Sequence, residues 1–497
     1  MNLTAATVSY AQQSLWLQAE LSPGNPAFHV PVALRLHGQI DAPALAQALN
    51  EIVRRHEALR TTFAVQDGEL LQIIHEQMDV PFSEQPVSGT DTLEAAIREA
   101  ICDPFDLVKG PLLRGRLFRL AENEAVLVVT IHHLVTDGWS MGIMIRDFSA
   151  YYLTITRGDP LMLDELEIQY ADFAEWQREQ VDGQWDAQLD YWKRRLQGPL
   201  AVTALPSDFS ALQGGSEAGA SEHLRLPQAL LAQIKHLAEH QGATLFMVLL
   251  AAFKVLAYRY NHQPDVIVGS PIANRNRPEI ENLIGFFVNT QVLRTDLSGN
   301  PSFAELLGRV RETTLGAWEC QDVPFEWLVN TLRPERNLGQ TPFFQIMFAL
   351  QNANSSVLEL PGLSIERLDV STEAAKFALT WMAEETQDGL TLHIEYKTGL
   401  FLPETIKRLA RHYQNLLAAI VENPACEIDC LELLSPEERH RLLTDWPGGA
   451  ETFPVELALD GWFRRQAART PQRTAVSYLG ETLSYVELDR RTDRPVG

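Results

Sequence analysis

Cysteine is scarce in this chain: four residues in 497, at Cys102, Cys320, Cys426 and Cys430. A chain of this length buries enough surface to fold without covalent staples. Cys426 and Cys430 are separated by three residues and no second pair completes a zinc site, so all four read as ordinary thiols in a reducing compartment, with no metal centre. Positive charge is also in deficit, with 41 Lys and Arg against 65 Asp and Glu and a net charge of −24. Binding to a phosphate backbone needs clustered cations, so nucleic acid is excluded as a partner. Long apolar runs are missing too. The stretch from Leu245 to Tyr260 is shorter than the ~20 residues that span a bilayer, and it carries Lys254 and Arg259, so a buried helix is expected there. The N-terminus, MNLTAATVSYAQQ, has neither a basic start nor an apolar run and predicts no signal peptide. These absences together predict a cytoplasmic protein without a membrane span, kept soluble by its own negative charge.

What is present is an alternation of strand and helix signals without internal repeats, the pattern of a mixed α and β fold. Val32, Leu34 and Leu36 alternate with polar or small neighbours and predict a half-buried strand ended by Gly38. Asp41 then caps a helix with Pro43 in its first turn and Leu45, Leu49, Ile52 and Val53 as its apolar stripe. Strands are expected at Arg116 to Leu120 and Ala125 to His132, joined by the turn from Ala121 to Glu124. Gly, Ser, Asp and Pro accumulate between about Asp182 and Ala220, which divides the chain into a first lobe (1–180), a linker (181–220) and a second lobe (221–446). In the second lobe a strand is expected near His223 to Leu226. Helices follow at Gln228 to His240, Thr244 to Tyr260 and Pro403 to Glu422, with a strand at Asp265 to Gly269. PGGAETFP, after Trp446, begins a further linker, and residues 447–497 read as the opening of another domain, with a helix near Tyr485 to Arg491.

The segment with most chemistry is VLVVTIHHLVTDGWS, Val126 to Ser140. An apolar strand delivers two adjacent histidines into a turn holding Thr136, Asp137 and Gly138. Neighbouring side chains of an extended segment point to opposite faces, so His132 and His133 cannot both face one substrate or chelate one metal ion. One is a candidate catalytic group and the other a buried structural residue. An imidazole, with an unperturbed pKa of ~6.5, can take or share a proton near neutral pH. Gly138-Trp139-Ser140-Met141-Gly142 also matches G-x-S-x-G, which raises a serine hydrolase using Ser140. A turn intervenes between strand and glycine, however, and no HGGG-type segment is present.

HHLVTDGWS, His132 to Ser140, resembles the HHxxxDG signature of condensation domains of nonribosomal peptide synthetases. Further stretches resemble that family's motifs in order: SYAQQSLWL (Ser9 to Leu17), RHEALRTTF (Arg55 to Phe63), YADFAEW (Tyr170 to Trp176), IGFFVNTQVLR (Ile284 to Arg294), CQDVPFE (Cys320 to Glu326) and RPERNLGQTPFFQIMF (Arg333 to Phe348). Ser14 departs from the usual Arg of the first motif, Pro334-Glu335 loosens the seventh, and Ala378 in AKFALTW replaces a common Asp. Phe463 to Arg491 resembles the start of an adenylation domain without its phosphate-binding motifs.

The resemblance implies an α/β (mixed α+β) fold of two chloramphenicol acetyltransferase-like lobes set in a V with a tunnel between them. It implies an amide-forming acyltransferase with His133 as the catalytic residue, acting as base or as positioner of the attacking amine. His132 and Asp137 are then structural, with Arg60 the expected partner of Asp137. Gly138, with Trp139 and Ser140, is expected on the substrate and oxyanion side, and Asn289 and Gln321 in the tunnel. Trp16, Phe173 and Trp176 read as core. No cofactor is expected to be bound covalently: the substrates are phosphopantetheine-linked groups on carrier proteins, or a coenzyme A thioester as donor. Expected partners are downstream adenylation and carrier domains and, as donor, a fatty acyl-CoA or an upstream carrier; the chain itself is expected to be a monomer. The Met1 start, close to the first motif, points to a starter domain that N-acylates the first amino acid, with an elongation domain as the alternative. A non-catalytic docking module is the reading of another class. Epimerising relatives generally lack the GWS, and heterocyclising ones replace the histidines by aspartates.

Overall fold

The computed structural model describes residues 3–180, 185–200, 203–209, 218–334, 341–351, 358, 360–386, 388–445, 458–478 and 480–492. They form two compact units, Met1–Leu433 and Leu434–Gly497.

The first unit has three sheets: a small one of Leu3–Thr7, Glu69–His75 and Thr61–Gln66, and two larger ones around which the lobes are built. The first-lobe sheet has five strands in the order Leu363–Leu368, His29–Gly38, Glu124–His132, Leu113–Ala121, Phe82–Pro86. Glu124–His132 is central, and every residue after Glu124 is buried. A strand covered on both faces reads as a continuous apolar run rather than an alternating one, which is why AVLVVTI precedes the histidines. One face is covered by the helix Thr90–Cys102 and the other by Ala42–Arg55 and Gly138–Arg157. Asp41 caps Ala42–Arg55 by accepting the Ala44 N–H at 2.9 Å, and Leu45, Leu49, Ile52 and Val53 are all buried.

The second-lobe sheet has six strands in the order Asn289–Asp296, Asp265–Ile272, Ile346–Gln351, Leu379–Thr386, Gly389–Lys397, Gly219–Pro227. Helices Gln228–His240, Leu245–Asn261 and Pro403–Glu422 pack on it. Lys254, fully buried in Leu245–Asn261, donates to the Leu293 carbonyl at 2.7 Å and to Thr295 Oγ1 at 2.8 Å. No single helix among the described residues is long and apolar enough to cross a membrane. All four cysteines are free thiols, and no group of three or more metal-ligating side chains occurs among the described residues.

The segment read as an inter-lobe linker is structured in part. Asp186–Arg195 is a helix, and Trp185, Leu189 and Trp192 are buried in the second-lobe core. Their i, i+4, i+7 spacing makes a narrow apolar stripe, masked in the sequence by the acidic and basic residues between them. Residues 201–202 and 210–217 of that stretch, 447–454 (PGGAETFP) and 335–340 of the seventh motif lie outside the described residues.

The lobes are not separable segments, because each lends residues to the other. Tyr10 belongs to the second-lobe core beside Trp185 and Trp327. Ile280, Leu283, Ile284 and Phe287, between two second-lobe strands, are buried in the first-lobe core. The strand Leu363–Leu368 pairs with His29–Gly38 at the edge of the first-lobe sheet. In the second unit, the helix Leu459–Arg469 precedes a hairpin, Thr474–Tyr478 with Glu481–Ser484, and the helix Tyr485–Thr492.

Candidate active site

His132 ends the central strand, and the chain turns at once into a short 3-10 helix, His133–Val135, and then the helix Gly138–Arg157. The turn sends the two rings to different places. His132 is 4% exposed and packs edge-on against His29 and Phe105, at centroid distances of 6.0 and 5.9 Å. His133 is part-buried and packs against Phe286, with centroids 5.1 Å apart. The two rings therefore face different spaces, as the extended strand end requires.

His133 is oriented by its own turn. Its Nδ1 lies 2.8 Å from the Thr136 carbonyl. A carbonyl only accepts, so Nδ1 carries the proton and the neutral ring presents a bare lone pair at Nε2. Burial above all, then the positive charge of Lys376, pushes the His133 pKa down to about 3, against the opposing pull of the Thr136 carbonyl. Lys376 is itself lowered to about 8 by burial, with Glu395 acting in the other direction. The imidazole is thus neutral throughout the physiological range.

Asp137 is the N-cap of Gly138–Arg157 and is fully buried. Its Oδ1 accepts the Ser140 N–H at 2.8 Å and its Oδ2 accepts the Phe287 N–H at 3.0 Å. Its ionic partner is Arg275, at 3.2 Å, with the two side chains 1% and 0% exposed. Arg275 also donates to the carbonyls of Ile280 and Leu283, at 2.6 and 2.7 Å, and to Ser140 Oγ at 2.8 Å. Its guanidinium stacks 4.1 Å above the Phe287 ring. A second-lobe cation is therefore bound inside the first-lobe turn.

This corrects the expected pairing of Asp137 with Arg60. Arg60 ends a 3-10 helix, Glu57–Arg60, which carries its guanidinium to the His75 carbonyl at 2.5 Å and to Glu57 at 3.2 Å. The buried carboxylate tied to the second motif is Asp147, which lies 2.9 Å from His56 Nε2 and 3.2 Å from Arg55 Nε.

Ser140 does not stand on the substrate side. It is fully buried, and its hydroxyl donates to the Gly285 carbonyl at 3.0 Å while accepting from Arg275 and from the Gly285 N–H at 3.2 Å. A hydroxyl committed in both senses and shut from solvent is no nucleophile. Gly285 has to be glycine, since a Cβ there would lie 2.1 Å from the Tyr170 ring. Trp139 is 49% exposed and donates from Nε1 to the Glu281 carbonyl at 3.0 Å. Gly138 is open, with nothing within 4 Å of where a Cβ would be.

Asn289 is a brace rather than a lining residue. Its Nδ2 donates to the carbonyls of Gln321 and Val323, at 2.9 and 2.8 Å, and its Oδ1 accepts the Phe325 N–H at 2.9 Å. Of Gln321, the backbone carbonyl is the part engaged. Phe173 is buried as expected, and Trp176 is part-buried beneath the guanidinium of Arg277, at 4.3 Å.

Sequence reasoning missed Arg275, Phe286 and Lys376. Phe286 lies within a quoted motif, and Lys376 stands two residues before the Ala378 that drew notice. Arg275, in the polar run ANRNRP, carried no signal of its own.

The Condensation domain family matches residues 2–443 of this chain. A linear gramicidin synthase of Brevibacillus parabrevis is 43% identical over 98% of this chain and 10% of that protein. A surfactin synthase of Bacillus subtilis (strain 168) is 36% identical over 98% of this chain and 13% of its own length. The chain spans about a tenth of the length of the curated relatives it matches. Among solved structures, the X-domain from teicoplanin biosynthesis superposes with a TM-score of 0.80 at 30% identity, over 86% of this chain and 97% of that one. Holo-AB3403, a four-domain nonribosomal peptide synthetase, gives a TM-score of 0.82 at 21% identity, over 98% of this chain and 38% of that one, a likeness of fold alone.

Two outcomes are expected from this geometry. Asp137→Ala should lower unfolding stability by about 3–5 kcal/mol, because it strands a buried guanidinium, whereas Arg60→Ala should cost no more than about 1.5 kcal/mol. Urea unfolding of the two variants checks this, and a larger loss for Arg60→Ala would restore the sequence-based pairing. Acid should also destabilise the fold early. Burial lowers the pKa of His29, His56, His132 and His133 below 6.5. As pH falls through ~6.5 the unfolded chain takes up protons that the folded chain refuses, so stability declines. The urea midpoint should drop between pH 7.5 and pH 5; a flat midpoint over that range contradicts the assignment.

Proposed function

The chain belongs to the Condensation domain family, and from that premise we propose that it is an amide-forming acyltransferase of a nonribosomal peptide synthetase, with His133 at its centre. The observation that carries this reading is the neutral His133 imidazole, whose Nδ1–H donates to the Thr136 carbonyl and whose Nε2 has no partner among the described residues. The amine of a carrier-bound aminoacyl group attacks the carbonyl of a donor thioester, the C–N bond forms, the C–S bond breaks and a thiol leaves. His133 Nε2 accepts a hydrogen bond from the attacking amine.

A pKa of about 3 makes His133 a poor acceptor for complete proton transfer from an amine. This favours orientation of the nucleophile over general-base catalysis. Gly138 contributes an open N–H at the positive end of the helix Gly138–Arg157, suited to the oxyanion of the tetrahedral intermediate. Asp137 and Arg275 hold that helix end in place. The bonding of Ser140 disfavours a hydrolase.

The substrates are phosphopantetheine-linked groups on carriers, and the partners are adenylation and carrier domains. The last residues, Phe463 to Arg491, are read as the opening of an adenylation domain. A peptide is started once, yet the relatives compared include three different polypeptides of linear gramicidin synthase. Their shared likeness supports elongation between two carrier-bound groups over N-acylation from coenzyme A.

The test is a mass-spectrometric assay with an aminoacyl-loaded carrier as acceptor, comparing aminoacyl-carrier and fatty acyl-CoA donors. Amide from the carrier donor, reduced about 10²-fold or more in His133→Ala, is the expected result. Product from acyl-CoA alone would reassign the chain as a starter domain, and loss of activity in Ser140→Ala with intact folding would revive the hydrolase.

The pH–rate profile separates the two roles of His133. An α-amino group with a pKa of ~8 must be neutral to attack, so log kcat/KM should rise with unit slope up to about that pH. A second inflection near pH 6.5, steepening the slope to two, would mark His133 as a conventional base.

A further inference from the structure

Two buried imidazoles meet on the side of the turn away from Phe286. His29 opens the strand His29–Gly38 directly opposite His132 in the antiparallel register, so the two rings share one face of the sheet. Phe105 packs edge-on against His29 at 5.0 Å, and Phe28 lies 6.3 Å from His132. The guanidinium of Arg114 covers Phe105 at 4.0 Å.

The rings are anchored through Nδ1 in opposite senses. His29 Nδ1 lies 2.7 Å from the Ile101 carbonyl, so it donates and leaves Nε2 a bare acceptor. His132 Nδ1 accepts the Leu134 N–H at 3.2 Å, so its ring proton sits on Nε2 as a free donor. Burial holds both rings neutral. Neither Nε2 has a hydrogen-bond partner among the described residues, although His132 is only 4% exposed and His29 only 7%. Neither Nε2 is among the fully buried side-chain atoms that lack a partner, so each keeps access to the space beside it, where water or a ligand group meets it.

Both rings line a cavity of about 220 Å³ whose apolar walls include Phe28, Phe105 and Leu107 and whose rim includes Val108. It shares Ser22 to Asn25 with a wider depression of about 400 Å³ that reaches Ala374 of the second lobe. The cavity therefore opens toward the lobe junction. An apolar cavity of about 150 Å³ is enough to admit benzene, so a phenol-sized group fits.

We propose that this cavity is a substrate side-chain pocket for a neutral group that accepts and donates a hydrogen bond at once, a hydroxyl or a carboxamide, with the His132 Nε2–H as donor and His29 Nε2 as acceptor. An anion would meet Glu20 and Asp106 in the lining, and a cation would meet Arg114 and Lys376 beside Phe105 and Phe28. A purely apolar group would leave both ring nitrogens unmet, which is the circumstance in which a site discriminates strongly. The word substrate rests on the acyltransferase reading; the binding chemistry does not.

The experiment titrates the whole chain with p-cresol and, separately, toluene, following the ¹⁵N signals of the imidazoles at pH 7.5. The expected result is that p-cresol shifts the Nε2 signals of His29 and His132 and binds about fivefold or more tightly than toluene. In His29→Phe that preference should fall to about twofold or less, with toluene binding retained. Val108→Trp, a change at an exposed rim position, should weaken both ligands and covers the case in which the His29 variant does not fold. Equal affinity for the two probes, or p-cresol binding that leaves both imidazole signals unmoved, overturns the proposal. Kinetics with tyrosyl and phenylalanyl substrates should follow the same ratio. If no substrate yields an amide, the acyltransferase reading fails while the p-cresol result still decides the pocket.

Discussion

The buried pair of Arg275 and Asp137 is the constraint on which the rest of the site depends. A guanidinium and a carboxylate, 1% and 0% exposed, are stable in the interior only when nearly every donor and acceptor is met. Asp137 meets the end of Gly138–Arg157 and the Phe287 backbone, and Arg275 meets two carbonyls and Ser140. The pair thus fixes three things together: where the helix starts, where the segment 275–287 crosses from the second lobe, and how the turn after His132 runs. The apolar residues Ile280, Leu283, Ile284 and Phe287 supply the burial that holds the crossing in place.

Within that frame the two histidines divide the work by environment. Each is tied through Nδ1, but to opposite partners. The Thr136 carbonyl takes the proton of His133 and leaves Nε2 open as an acceptor, while the Leu134 N–H takes the lone pair of His132 and leaves Nε2 a donor. Adjacent residues of one type thereby present opposite chemistry to two different spaces. Desolvation lowers the pKa of both, so neither role requires a charge at neutral pH. That suits the proposed attack by an uncharged amine.

The sequence made the secondary structure legible where periodicity was strong. Helices Gln228–His240 and Pro403–Glu422 match their expected limits, and the central strand announced itself by an unbroken apolar run. The double histidine at the strand end was legible because local backbone geometry dictates it, whereas the helix start was not: Asp137 was read as part of a turn, yet it caps the helix Gly138–Arg157. Long-range pairing was not. Arg60 was a reasonable partner for Asp137 by motif proximity, yet the 3-10 helix Glu57–Arg60 turns it toward His75. Arg275 lies 138 positions away in sequence and reaches Asp137 only because a loop crosses between lobes. Ser140 looked accessible because G-x-S-x-G implies an elbow, but here the serine lies in the first turn of a capped helix and faces Gly285. The helix Asp186–Arg195 was hidden for a different reason: its polar residues outnumber a narrow stripe of Trp and Leu, so composition suggested a loop.

The immediate surroundings of His133 come from both lobes. The strand end and the Thr136 carbonyl belong to the first lobe, whereas Phe286 and the charge of Lys376 come from the second. The Lys376 ammonium also lies 5.3 Å from the Phe28 ring, across the same junction. Any shift of one lobe against the other therefore alters the desolvation and the field at the imidazole together. Interfaces of packed side chains tend to hold a few discrete arrangements rather than to deform continuously. The crossing segment 275–287 opposes such a shift, because moving it would break the Arg275–Asp137 pair. The ion pair that positions the turn after His132 is thus the same element that keeps the second-lobe groups in register with it.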